Sequence, residues 1–466
     1  MEASEYEKTI LIASDENTTD EILTQIVSWS DDYHIRMAVA KNPIASENTL
    51  HSINNETSHD SLLRAISEHP NISLIDLQEL ACHKSFNVRV GVAKNPNTPP
   101  SLLGQLALDD DMNVRLTVAT NEHTPHDVLA GLSQSEFWEI RLEVANNQKT
   151  PAVTLIALGS DDEYFVRSAV ARNPNTPVYI LVELSADKQG SVCSSVAKNP
   201  NTPTLVLKNL ANSELKAIKV AVAKNPNTPS SVLGEFEIPT YDSDLGRALA
   251  FNPNTPSSVL VELYISNLHL EYIAQNPNTP SYVLTEMLSS GKKFLDKFVA
   301  RNPSIPIQLL EVISANEDWN IRCGVAQNPS TPIEILTEYA IVDNPFVRFA
   351  VARNPNTPAD VLEKLAVDRD YEIRLGVAEN SGVSADLLSQ LSTDDEMVVR
   401  FRVALNPNTP ESILHKLRDD AVWGVRNMAD KNLSSRERSA VDIVKAKNHE
   451  KKTSKPDMAD SHKPSM

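Results

Sequence analysis

Apolar residues recur along this chain in short bursts at helical spacing, separated by polar corners. In one stretch Val347 and Val351 stand four apart, and Val361, Leu362, Leu365 and Ala366 follow after "NPNTP", Asn354 to Pro358. Side chains three and four apart share one face of a helix, so each burst predicts a short amphipathic helix and each corner a tight connection. No stretch alternates apolar and polar residues as a strand would. With the asparagine of Asn-Pro as reference, the corner falls at Asn42, Asn95, Asn173, Asn199, Asn225, Asn252, Asn276, Asn302, Asn328, Asn354 and Asn406. Degenerate copies sit at His69, Asn121, Asn147, Asn380, Asn432 and, early in the chain, Asp15. The step is mostly 26 residues, with 27 at three places and 24 from Asn252 to Asn276. A fixed period of this size predicts a solenoid, because a unit that cannot bury its own apolar face is completed by its neighbours.

The corner reads as stop, turn and start. Proline disfavours α geometry at the preceding asparagine, which is expected to take a left-handed conformation beyond the helix end. Threonine is expected to cap the next helix and proline to open it, with capping boxes pairing Thr331 with Glu334, Thr357 with Asp360 and Thr124 with Asp127. Acidic pairs such as Asp31-Asp32, Asp161-Asp162 and Asp394-Asp395 suit the positive end of the second helix. Cations such as Lys41, Lys94, Arg172 and Arg353 suit its other end.

The pattern "VAxNPNTPxxxLxxLAxDxxxxVR", clearest at residues 351–374, resembles the leucine-rich repeat variant family. The resemblance covers roughly residues 10 to 435. It implies an all-α, right-handed, HEAT-like solenoid of alternating α and 3₁₀ helices, with about 16–17 two-helix repeats here. The founding type also carries a cysteine-rich iron–sulfur segment. Cys82, Cys193 and Cys323 are isolated within repeats and do not match it, so no cofactor is carried over.

The repeats differ among themselves. Six positions before the reference stands an arginine ladder: Arg36, Arg89, Arg115, Arg141 and Arg167, then Arg322, Arg348, Arg374, Arg400 and Arg426. Between the blocks the position reads Cys193, Lys219, Gly246, Leu270 and Asp296. Nine before it stand aromatics and methionines, among them Tyr33, Phe86, Met112, Trp138 and Tyr164, then Trp319, Tyr371, Met397 and Trp423. The net charge is -19, yet residues 178–302 hold eleven basic and eleven acidic residues and are neutral. Residues 1–177 and 303–432 thus read as regular acidic arms of a 1–432 solenoid, around an irregular centre at 178–302. Residues 433–449 read as a capping helix, with Ser434 and Glu437 as a capping box and basic residues suited to a lid. Residues 450–466 read as a disordered tail.

Each ladder has two readings. The arginines either staple neighbouring repeats or grip a partner's carboxylate or phosphate. The aromatics either pack between repeats or leave Trp138, Trp319 and Trp423 as exposed anchors. The centre is either drift or a recognition surface around Lys216, Lys219, Lys292 and Lys293.

Catalytic constellations are missing from the sequence: no phosphate-binding glycine loop, no metal-spaced histidines, and His123 and His126 at a repeat corner. The acidic total disfavours nucleic acid. No secretion signal or membrane-spanning run is seen, which suits the cytoplasm. The expectation is a monomeric, non-enzymatic, cofactor-free scaffold without a metal site, binding another protein through an extended curved surface. The alternative is a nucleic-acid-binding helical repeat of the HEAT-like DNA glycosylase type, with the cations before each asparagine as its basic stripe.

Overall fold

The computed structural model describes residues 3–239, 241 and 243–436. The described residues are helices and connections, without a strand. Contacts divide the chain into two units, Met1–His269 and Leu270–Met466, a boundary inside the neutral 178–302 segment. Within each unit a repeat consists of a short first helix, such as Pro100–Leu106, and a longer second helix, such as Met112–Thr120. The first helix is α in its middle (Leu103 N–H donates to the Pro99 carbonyl, Ala107 N–H to that of Leu103). The 3₁₀ character implied by the family resemblance is confined to its ends, where Leu102 bonds Pro99 and Leu108 bonds Gln105.

The core lies between first and second helices and between successive second helices. Val88, Val92 and Ala93 of one second helix and Leu103 of the next first helix are fully buried. Successive second helices approach closely: a Cβ on Gly324 would lie 2.6 Å from the Lys297 carbonyl oxygen, so glycine is required there.

The corner asparagine departs from the sequence expectation. Asn95 is extended, at φ -64° and ψ 129°, and not left-handed. Among the described residues only Asn267 and His269 are non-glycine residues with positive φ, in the shortened 24-residue step. A following proline favours the β region. Asn121, Asn147 and Asn380 take the same conformation before Glu122, Gln148 and Ser381, so the asparagine's own bonds hold it as well. That backbone aims the side chain at the preceding repeat. Asn95 Nδ2 donates to the carbonyls of Ser67 and His69, both at 2.8 Å, while Oδ1 accepts the Asn97 N–H. The geometry repeats at Asn121, Asn147, Asn173, Asn199 and Asn225 in the first unit, and at Asn302, Asn328, Asn354, Asn380 and Asn406 in the second. His69 reproduces it with a ring: Nε2 meets the Asn42 carbonyl at 2.9 Å and Nδ1 accepts the Asn71 N–H. These two bonds fix a neutral tautomer. Burial pushes the imidazole pKa down, against a smaller upward pull from the Asn42 carbonyl.

Threonine also plays another part. Proline, not threonine, is the N-cap residue, as at Pro99, and none of the first helices begun by Pro125, Pro332 or Pro358 has a side-chain cap. The three expected capping boxes are therefore not formed. Thr228 Oγ1 instead donates backward to the Val222 carbonyl at 2.6 Å, closing the end of the previous helix. True caps occur where serine replaces the proline: Ser46, Ser73 and Ser384 each accept an N–H three residues on.

Asn432 carries no following proline, and the helix runs unbroken through residues 423–436. Ser434 lies inside that helix rather than capping a new one. Residues 437–466, which contain Glu437, the rest of the expected capping helix and the tail, lie outside the described residues.

Replacing Asn328 by Ala strands the Ala300 and Asn302 carbonyls and the Ser330 N–H. The expected loss is about 2–3 kcal/mol, read from the urea midpoint. Asn328→Asp keeps the shape but not the donor and should lose nearly as much. For His69 the folded pKa lies below the unfolded value. The unfolded chain therefore takes up the proton first as pH falls. The stability this neutral ring contributes is complete above pH ~6.5 and is lost as pH falls towards the folded pKa. His69→Asn should flatten that part of the stability–pH curve relative to the wild type.

Candidate functional site

The arginine ladder bridges repeats. Arg89 Nε and Nη2 donate to the two carboxylate oxygens of Asp109 in the next repeat, at 2.6 and 2.8 Å, while Nη1 holds the His83 carbonyl at 2.8 Å. Identical forks join Arg141 to Asp161, Arg167 to Asp187, Arg348 to Asp368, Arg374 to Asp394 and Arg400 to Asp420. The partner always stands 20 residues on, at the first acid of the inter-helix turn. The same carboxylate accepts an N–H two residues later, as Asp161 does from Glu163. Helix capping falls to the acid two places further on, as at Asp111, Asp318 and Asp370. Burial works to raise the Asp109 and Asp394 pKa values, but the guanidinium forks and backbone N–H groups outweigh it and hold both carboxyls low. The Asp partners raise Arg89 and Arg374 in turn.

Four ladder arginines lack this fork. Arg36 reaches Asp31 and Glu56, both at 2.6 Å. Arg426 holds the Asp420 and Ala421 carbonyls. Arg115 and Arg322 meet aromatic rings, Phe137 at 5.6 Å and Tyr339 at 5.9 Å, because Ser135 and Val342 stand where the aspartate would be. Cys193 replaces the arginine with a shorter donor whose Sγ faces the Asp187 carbonyl at 3.3 Å. Asp296 also occupies the position, with one buried carboxylate oxygen lacking a hydrogen-bond partner. Burial, and then Asp318, push its pKa up.

The aromatic ladder is both packed and exposed. Trp138 stacks on Phe165 at 5.5 Å and Trp319 on Phe346 at 5.1 Å, each pair joining successive repeats. Trp319 and Trp423 remain 43% and 46% exposed, so packing consumes only one side of each ring. Lys216 and Lys219 belong to the first unit and Lys292 and Lys293 to the second; Lys216 lies 3.4 Å from the Tyr241 hydroxyl. The cations before the corner asparagine are partly neutralised: Lys94 pairs with Glu68 and Arg353 with Glu379 of neighbouring repeats.

Burial disfavours the charged, reactive form of two candidate nucleophiles. Burial raises the Cys323 thiol to about 11, against Arg301, and the Tyr339 hydroxyl to about 12. Tyr339 donates to the Ser314 carbonyl at 2.6 Å. Among the described residues no three His, Cys, Asp or Glu side chains gather as metal ligands, and no helix is long and apolar enough to cross a membrane.

The leucine rich repeat variant family model matches residues 86–111 and 345–370. The Asn-Pro corner of these two segments recurs between them, while the arginine position changes at Cys193, Lys219, Gly246, Leu270 and Asp296. No curated protein matches the sequence. Among solved structures, a leucine-rich repeat variant described as having a novel repetitive structural motif is 17% identical, with a TM-score of 0.23, covering 64% of this chain and 87% of its own. A condensin subcomplex of S. pombe is 13% identical (TM-score 0.28; 91% and 75% covered), and the UNC-45 chaperone is 10% identical (TM-score 0.24; 92% and 63%).

Replacing Asp394 by Asn should weaken the fork to Arg374 and lower stability by about 1–3 kcal/mol at neutral pH. The wild-type carboxyl is held low, so its contribution is present above the unfolded pKa and lost as pH falls through the folded one. The difference between wild type and variant, followed by urea titration, should therefore vanish in acid.

Proposed function

From a chain built of leucine rich repeat variant repeats, we propose a non-enzymatic, monomeric, cytoplasmic scaffold that binds another protein through its stacked helices. One observation carries the reading: the row nine residues before the corner leaves Trp319, Tyr371, Met397 and Trp423 half-exposed at second-helix starts of the second unit, and Phe86 in the first, while the neighbouring arginines are mostly spent on internal forks. Aromatic, amphipathic side chains held rigid by packing on one side are the usual anchors of protein interfaces. The buried polar groups support the same reading, since they serve the stack and leave little for catalysis.

The test is capture from a native lysate by the tagged chain, with nucleic acid followed by absorbance. A protein partner should be retained, and Trp319→Ala with Trp423→Ala should reduce retention several-fold while helicity and melting stay unchanged. Charge reversal at Lys216 and Lys219, and separately at Lys292 and Lys293, tests the two lysine pairs in the same assay. Firm DNA binding that falls steeply with salt would overturn the scaffold in favour of nucleic-acid recognition.

A further inference from the structure

In the first unit the forks at Arg89, Arg141 and Arg167 are interrupted once, at Arg115. Ser135 replaces the aspartate, and its hydroxyl turns to the Phe137 N–H. Arg115 is left folded against its own turn, bonded to the Asp109 and Asp110 carbonyls and lying on the Phe137 ring. The interrupted fork opens the seam between the two repeats. Open surface depressions of about 370 and 700 Å³ adjoin Arg115 and share Ala107, Leu108 and Ser135. Leu108 is 85% exposed there, and Met112 and Phe137 extend the apolar wall. Gly104 and Gly131 complete the inner wall, and a Cβ on Gly131 would meet nothing within 4 Å.

The rim selects the occupant. Asp109 is committed to Arg89, but among the described residues Asp110, Asp111, Asp127 and Glu136 form no side-chain ion pair. Arg115 is the one cation they face in the cavity lining, so the seam carries excess negative charge around an apolar floor.

We infer that this seam docks a cationic, partly apolar polypeptide segment, with an apolar side chain seated on Leu108 and Gly131 and Lys or Arg heads turned to Asp110, Asp111, Asp127 and Glu136. Long cationic side chains suit such a site, because their stems lie on apolar surface while their charged ends reach the acids. The inference rests on the protein-binding reading and adds the place and the charge of the partner.

The experiment uses the full-length chain and a short fluorescein-labelled peptide of alternating Lys and Leu, followed by anisotropy, with a Glu-Leu peptide as control. Two substitutions close the seam without removing a fold contact. Ser135→Asp supplies the missing fork partner for Arg115, and Gly131→Leu fills the open space. Both should melt no lower than the wild type and bind the Lys-Leu peptide at least about tenfold more weakly, a change of about 1.4 kcal/mol. Ser135→Asp also makes the chain more acidic, so diffuse attraction would strengthen binding where docking in the seam weakens it. Equal or tighter binding by the variants, or equal binding of the Glu-Leu peptide, overturns the inference. If both variants still capture a lysate partner at full strength, the seam is refuted and the scaffold stands. If the Lys-Leu peptide docks as described but no partner is ever captured, the seam stands and the scaffold reading fails.

Discussion

The structure depends on an asparagine held extended at the end of the second helix. That backbone stops the helix and turns one carboxamide towards the repeat behind, before a proline at Asn95 and without one at Asn121, Asn147 and Asn380. That amide then satisfies two carbonyls at the buried ends of the preceding corner and one N–H of its own. A stack of short helices has an unusual density of helix ends, and each end leaves carbonyl groups without intrahelical partners. In a globular domain water would meet them. Here the next repeat covers them, so an internal donor is required in every repeat, and Asn95 and Asn328 are fully buried while providing it. Packing of Val92 or Leu103 supplies the bulk of the stabilisation, but the polar rung makes that packing compatible with buried ends.

Much of this was legible in the sequence. The period, the two helices and the role of the Asn-Pro stop follow from spacing and from elementary backbone sterics. The asparagine's extended geometry was not read, because left-handed residues are common after helices and the carbonyls that hold the side chain lie a whole repeat away in sequence. Threonine misled for a related reason. It is a good N-cap in general, but the proline after it takes the cap position, and the hydroxyl finds a carbonyl six residues back. The fork partners were hidden by distance: Arg374 and Asp394 are separated by a whole helix, and only the stack brings them together. The acids of the turn looked interchangeable in sequence. In the structure the first holds an arginine, and the one two places on caps a helix, as Asp368 and Asp370 do.

The two ladders also explain how an acidic chain keeps its repeats in close contact. With a charge of -19, acids on neighbouring turns repel one another. Each fork neutralises the carboxylate nearest the seam, so the residual repulsion falls on acids facing solvent, where screening is strong. Where the arginine is absent, as at Cys193, the turn carbonyl is still met, by a thiol. At that position a donor to the carbonyl is kept although the charge is not.

The asparagine rung has a consequence for how such a chain can change length. Its two donors meet only main-chain carbonyls of the repeat behind, and every repeat offers those whatever its side chains. The joint is therefore indifferent to identity. A repeat can be copied, lost or moved and still find its bonds, as the ring of His69 and the carboxamide of Asn432, donating from within a helix, illustrate. The arginine fork is the opposite kind of joint, since it asks for an aspartate in the repeat that follows. Shuffling repeats would leave the first joint intact and scatter mismatches in the second. A seam such as the one at Ser135 is the form that one such mismatch takes.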